Sequence, residues 1–177
     1  MYDGYRAIAA AYDTFNADVN YEAWSDFIEA CFDRYLPARP EIVLDLACGT
    51  GRMTFPLADR GYDMIGVDGS ADMLSEAFNR AQGSPRILFL QQDMRTFELY
   101  GTVDIALSCL DTVNHITSPS GLAKCFSLVH NYLNPDGLFI FDVNGKYKFE
   151  NIYGTESYVI EQDDSFLVWQ NFYNPKT

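Results

Sequence analysis

Apolar and polar positions along the chain follow two rhythms. Between residues 21 and 35, Trp24, Phe27, Ile28, Cys31, Phe32 and Tyr35 are spaced by 3, 1, 3, 1 and 3 positions. That spacing puts them on one face of a helix, which Pro37 and Pro40 end. Beyond residue 40, short apolar runs alternate with helical stretches. Strands are predicted at 41–46, 63–67, 86–91, 103–107 and 138–142, and helices at 52–60, 71–82 and 119–133. Gly61 and Gly83 stop the first two helices, Ser70 caps the second, and Asn134-Pro135-Asp136-Gly137 reads as a turn. This order predicts an α/β fold: a Rossmann-like three-layer sandwich whose mostly parallel sheet carries helices on both faces. After Asn144 the rhythm changes. Residues 157–161 and 166–173 read as a C-terminal antiparallel hairpin. Residues 1–20, with Tyr2, Tyr5, Tyr12 and Phe15, read as a short helix and loop. That segment is either a packing arm or a flap whose tyrosines close over a ligand. The implied organisation is a helical arm at 1–36, a core at 37–145 and a hairpin element at 146–177.

Composition narrows this picture. The chain has 177 residues, 48% of them hydrophobic, which suits one packed domain. No apolar window approaches the ~18 to 20 residues of a membrane span, and no signal-like segment opens the chain. Cys31, Cys48, Cys109 and Cys125 are scattered without metal-ligand spacing, and two histidines do not complete a zinc site. The reading is a reduced, cytoplasmic protein. A net charge of -13 repels phosphate backbones and argues against nucleic-acid substrates.

The chemistry concentrates at residues 42–52. An apolar strand interrupted only by Asp45 runs into Ala47-Cys48-Gly49-Thr50-Gly51 and then into a helix. Gly49 and Gly51 let the backbone turn sharply and approach a ligand, with free helix N–H groups beyond. The dinucleotide fingerprint asks for a third glycine where Thr54 stands, and the phosphate P-loop is absent. Asp45 would repel a phosphate and welcome a cation. Asp68 ends the second strand, where a carboxylate can take both hydroxyls of a ribose. Asp93 ends the third, where it could accept the exocyclic amine of adenine. Ribose, adenine and positive charge without phosphate describe S-adenosylmethionine.

Four motifs carry a family resemblance: Asp45-Leu46-Ala47-Cys48-Gly49-Thr50-Gly51, Gly66-Val67-Asp68-Gly69-Ser70, Gln92-Asp93-Met94 and Asp104-Ile105-Ala106-Leu107-Ser108-Cys109. In this order, each at a strand end, they resemble class I S-adenosylmethionine-dependent methyltransferases of the small-molecule type over about residues 2 to 145. The resemblance implies that Asp45 and the backbone around Ala47 and Gly49 hold the methionine part. It implies Asp68 on the ribose with Gly69 and Ser70 beside it, Met73 packed on the adenine, and Asp93 with the Met94 backbone reading the adenine edge. Cys109 and Leu110 would flank the methionine and methyl group. Tyr12-Asp13 and Tyr21 are similar to the N-terminal arm of small-molecule and sugar-amine methyltransferases, where arm tyrosines meet the cofactor carboxylate.

Methyl transfer from a sulfonium is a direct displacement, so positioning supplies most of the acceleration. A base is needed only when the acceptor must lose a proton. Leu110-Asp111-Thr112-Val113-Asn114-His115, after strand four, offers His115 as base and Asp111 to orient it or bind an amine. The other reading of His115 is a loop histidine. The expected substrate is a small molecule with an N or O acceptor. Members of this class usually have a seven-stranded sheet, whereas five parallel strands and a hairpin are visible here. The sequence therefore reads as C-terminally shortened, with a homodimer formed through the hairpin or the exposed strand five. Two other functions stand beside methyl transfer: a cofactor-binding module without turnover, and a nicotinamide-dependent oxidoreductase.

Overall fold

The computed structural model describes residues 9–162 and 165–174. The arm residues Tyr2 and Tyr5 lie outside them. The elements run α1 (Ala9–Phe15), α2 (Tyr21–Tyr35), β1 (Ile42–Leu46), α3 (Thr54–Asp59), β2 (Asp63–Asp68), α4 (Ala71–Ala81), β3 (Ile87–Gln91), β4 (Val103–Ser108), α5 (Pro119–Tyr132) and β5 (Leu133–Phe141). A separate hairpin, β6 (Ser157–Gln162) and β7 (Ser165–Gln170), follows. Strands one to five form a single parallel sheet in the order β3-β2-β1-β4-β5. The chain leaves β1 towards one edge, fills it with β2 and β3, then returns to place β4 on the other side. The switch in strand order thus falls between β1 and β4, and a parallel sheet opens its ligand crevice beyond the strand C-termini at that point.

Strand alternation sorts the core into two layers. Val43, Met64, Ile105 and Leu107 face Ile28 and Phe32 of α2 and Leu57 of α3. Leu44, Leu46, Val67 and Ala106 face Cys125 and Val129 of α5 and the buried Phe97. The apolar stripe of α2 is therefore a wall of the core. An ion-pair cluster pins it further, with Arg60 meeting Glu22, Asp26 and Glu29. Leu74 and Ala77 of α4 close over Phe89 and Cys48. Gly66 makes this contact feasible, since a Cβ there would lie 2.6 Å from Phe89 Cδ1 and 2.9 Å from Cys48 Sγ.

Caps and turns fall where their chemistry places them. Ser70 accepts from the Met73 amide, and α4 ends through Gln82 and Gly83, both left-handed. Two features differ from the sequence pattern. Strand five was expected at 138–142; β5 begins at Leu133, paired with Val103, and regains register at Leu138 opposite Ile105. Residues 134–137 bulge between these pairings, with Asp136 left-handed. A 3₁₀ turn over Thr112–His115 and a π-helical segment over Lys148–Tyr153 also arise, neither with an apolar period to announce it. No helix among the described residues is long and apolar enough to cross a membrane.

Candidate active site

The glycine turn sets the geometry. Ala47, Gly49 and Gly51 have φ of 60°, 57° and 81°. The Cys48 amide donates to Val67 O at 3.0 Å, and the Gly51 amide returns to Cys48 O at 2.9 Å. A Cβ on Gly51 would stand 2.7 Å from Phe55 Cε2, whereas one on Gly49 would meet open space. Gly49 is needed for its backbone angle, Gly51 for both angle and room.

Asp45 lies behind this turn, 3% exposed, and accepts from Thr54 Oγ1 at 2.6 Å. Burial lifts its pKa from 3.8 to about 6; the Thr54 bond opposes this and nearby Asp68 adds to it. The position where the dinucleotide fingerprint wants a third glycine thus supplies a hydroxyl to the buried acid. Asp68 Oδ2 accepts from the Gly49 amide at 2.8 Å, and its Oδ1 from the Ser70 amide at 2.7 Å. Burial still raises its pKa, against the pull of those amides. An ionised carboxylate has about four acceptor positions, so these two bonds leave room for hydroxyl donors. Asp93 is held by Arg95, whose Nε and backbone N both reach Oδ1 at 2.8 Å while Nη2 meets Oδ2. Those bonds keep its pKa below the usual value. Gln92 braces the same loop by exchanging two hydrogen bonds with the Glu98 backbone.

A cleft of about 550 Å³ opens above the strand ends. Its lining includes Tyr12, Ala47, Gly49, Asp68, Gly69, Ser70, Met73, Asp93, Met94, Leu110 and His115, with Gln91, Gln92, Arg95, Thr112 and Ile116. This volume lies within the range of small-molecule and cofactor sites. Tyr21, Asp45, Gly51, Cys109 and Asp111 do not line it. Tyr21 is buried under the Arg52 guanidinium, 4.6 Å from its ring centroid, and burial raises its phenol pKa. Cys109 is buried beside Asp45 and Asp142, and desolvation raises its thiol pKa. A thiol so placed is a packing group rather than a nucleophile. The same holds for Cys48, whose pKa burial pushes well up.

Strand four ends in an unusual corner. Leu110 and Asp111, neither a glycine, have φ of 63° and 70°. Such strain persists only where surroundings enforce it. Here the Asp111 amide donates to Asp142 Oδ2 at 2.9 Å, and Thr112 Oγ1 to Cys109 O at 2.8 Å. The Asn144 amide donates to Asn114 Oδ1 at 2.9 Å, and Lys148 Nζ to Asn144 Oδ1 at 2.7 Å. Four buried polar atoms among the described residues have no hydrogen-bond partner: Ser108 Oγ, Asp111 Oδ1, Asp142 Oδ1 and Asn144 Nδ2. All belong to residues at the C-terminal ends of β4 and β5. Burial raises the Asp111 pKa, the charges of His115 and Lys148 lower it, Asp142 raises it, and the Asn144 side chain lowers it. His115 itself is exposed on the 3₁₀ turn.

Several residues around the site had no sequence signal. Arg80 is one: it binds Asp13 of the arm and the Thr50 carbonyl from a distant position, while Asp13 also accepts from the Thr50 hydroxyl. Arg95 and Arg52 were likewise unmarked. Asp142 could have been found: it follows strand five as Asp68 ends strand two.

Comparison with known proteins places this architecture. The methyltransferase-domain family profile matches residues 43–137, more than half of the chain. The Bacillus subtilis protein named "Putative methyltransferase YqeM" is 34% identical over 169 residues, covering 95% of this chain and 66% of that protein. The crystal structure of an S-adenosylmethionine-dependent methyltransferase from Clostridium acetobutylicum superposes with a TM-score of 0.79 at 36% identity, covering 96% of this chain and 70% of that one. CalS10 of Micromonospora echinaspora, an amino pentose methyltransferase solved with S-adenosylmethionine, shares the fold at a TM-score of 0.73 and 20% identity, over 92% of this chain and 66% of its own. The chain belongs to the class I S-adenosylmethionine-dependent methyltransferases. S-adenosylmethionine is the cofactor of that family, and the acidic, phosphate-averse strand ends fit it. The chain spans 66% of the length of YqeM.

Proposed function

We propose that the chain transfers the methyl group of S-adenosylmethionine to the nitrogen of a small-molecule amine. The observation that carries the acceptor class is Asp142 Oδ1, a buried carboxylate oxygen without a donor, with the Asp111 carboxyl close enough to feel its charge. Asp111 sits between Leu110 and Thr112, which line the cleft, and Asp142 grips its backbone. Buried acceptors left without donors are costly, and an ammonium supplies several donors at once. A similar fold in an amino pentose methyltransferase agrees with this class.

Each carboxylate has a distinct task in this reading. Asp68 takes the ribose hydroxyls with its spare acceptor positions. Asp93 and the Met94 backbone read the adenine edge, and Met73 packs against the ring. Asp45 favours the positive methionine end through the glycine turn. When bound, the cofactor supplies an electrophilic methyl on a sulfonium, and a neutral thioether departs. His115, which lines the cleft, takes the amine's proton to solvent, and Asp111 and Asp142, set behind Leu110 and Thr112, attract the amine's positive charge to that end. Positioning of this kind supplies most of the rate.

The test is methyl transfer to panels of small amines, phenols and carboxylates, followed through S-adenosylhomocysteine. Turnover is expected with amines. Asp142→Asn is expected to lower it by about 10- to 100-fold, the loss of one interaction with a charged group, with S-adenosylhomocysteine affinity nearly unchanged. Turnover confined to phenols or carboxylates, or full activity in Asp142→Asn, would refute the acceptor class.

A further inference from the structure

We propose that Asp13, Thr50 and Arg80 form a latch that fixes helix α1 as a wall of the cofactor cleft. Asp13 and Arg80 are then positioning residues for the cofactor, acting through Tyr12. The inference rests on the cofactor reading of the cleft and adds how its N-terminal wall is held in place.

The described part of α1, Ala9–Phe15, touches α4 and the hairpin strand β6 and reaches the glycine turn. Asp13 Oδ1 accepts from Thr50 Oγ1 at 2.6 Å, and Asp13 Oδ2 from Arg80 Nη2. Arg80 Nη1 donates to Thr50 O at 3.2 Å, and the guanidinium lies 5.6 Å from the Phe55 ring centroid. One carboxylate therefore joins the arm to the turn, to α4 and, through Arg80, to the start of α3. Thr50 stands between Gly49 and Gly51, so the latch grips the turn itself.

Exposed ion pairs contribute little, because water and salt screen them. This one differs in two ways. Its anchor Thr50 is buried, and the Asp13 side chain is only 21% exposed. Its acceptor also takes a hydroxyl and a guanidinium together, the stronger charge-assisted arrangement. Tyr12, the residue before Asp13, lines the cleft. Asn16 Nδ2 donates to Tyr12 O at 2.8 Å and closes the helix end behind it. Holding Asp13 therefore holds Tyr12. Releasing Asp13 frees the arm and opens that wall, so the latch governs how long a bound cofactor stays.

Titration and dissociation kinetics with S-adenosylhomocysteine test this. Asp13→Ala and Arg80→Ala are each expected to weaken binding about five- to tenfold, mostly through faster dissociation. The double variant should be no worse than the weaker single, since both break one link. Tyr12→Ala should show the same loss, with no further loss on adding Arg80→Ala. Thr50→Val, which keeps shape and removes the hydroxyl, should fall between wild type and Asp13→Ala. A folded Arg80→Ala that releases the ligand at the wild-type rate, or strictly additive losses, would overturn the latch. A lower melting temperature with unchanged dissociation would also overturn it, because that marks a merely structural pair. A wild-type chain that fails to bind S-adenosylhomocysteine would instead overturn the cofactor reading, and the latch with it.

Discussion

Replacing Asp45 with asparagine should change how stability depends on pH. Asp45 is 3% exposed, and its pKa stands at about 6 against 3.8 for an ordinary side chain. The folded state therefore binds this proton more tightly than the unfolded one. Between about pH 4 and pH 6 the native state is favoured by protonation, and that advantage is lost as pH rises through about 6. The gap from 3.8 to about 6 corresponds to about 3 kcal/mol in total, at about 1.36 kcal/mol per pH unit. About 1.4 kcal/mol of it falls between roughly pH 5 and 7.5. Lower pH approaches the isoelectric point near 4.3, where solubility suffers. Asparagine keeps an oxygen for the Thr54 hydroxyl and carries no charge. Any fixed cost of its amide is independent of pH and cancels when two pH values are compared. Urea denaturation of both proteins, without cofactor, at about pH 5 and 7.5 gives four free energies. The variant is expected to gain about 1.4 kcal/mol on wild type between the two. A constant difference, or one that shrinks with pH, would refute the claim that this buried carboxylate ionises at a cost. Cofactor affinity should move oppositely: it should rise with pH through about 6 in wild type and rise less in Asp45→Asn.

Other perturbations probe different links. Asp68→Ala should weaken S-adenosylhomocysteine binding by about 100-fold, as two charge-assisted ribose bonds are lost. It also leaves the Gly49 and Ser70 amides without their acceptor; unchanged binding in a folded variant would refute the assignment of Asp68. Gly51→Ala should cost about 1–3 kcal/mol in urea denaturation, because φ is 81° and the new Cβ would lie 2.7 Å from Phe55 Cε2. Phe97→Ala should cost about 3–5 kcal/mol, since that ring is fully buried against α5 and the sheet. A loss under 1 kcal/mol would show that the site collapses around the cavity.

The sheet was legible because each strand is a compact apolar run bounded by turn residues. Val43, Leu44 and Leu46, or Ile105, Ala106 and Leu107, can only be buried on both faces. Acids closing such runs stand out, which is why Asp45, Asp68 and Asp93 could be singled out from sequence. What escaped has no local pattern. Asp13 and Arg80 are 67 positions apart and meet only because α1 folds back on α4. The left-handed corner at Leu110 and Asp111 is enforced by Asp142, from another strand. Thr54 looked like a defect in a glycine motif, yet its hydroxyl is what Asp45 bonds. Its meaning depends on the side chain opposite, which spacing cannot convey.

These residues share one electrostatic logic. Asp45, Asp68 and Asp111 gather at the C-terminal ends of parallel strands, and burial raises the pKa of each. With no cation in place, such groups oppose their own ionisation and weaken the fold at neutral pH. Asp68 raises the difficulty for Asp45 further, as a like charge does. A positively charged ligand reverses the sign, since every carboxylate that resisted ionisation now gains a partner. In the proposed reaction the sulfonium becomes a neutral thioether and the amine gives up a proton. The positive charge that held the reactants is then gone from the thioether product. Asp45, which favours the positive methionine end, therefore holds the spent cofactor less strongly, while Asp68 keeps its ribose hydroxyls in both. What retains it is the neutral part of the site, the adenosine contacts and the wall held by Asp13 and Arg80. In this reading attraction of the charged methyl donor falls to Asp45, and residence to the adenosine contacts and the arm.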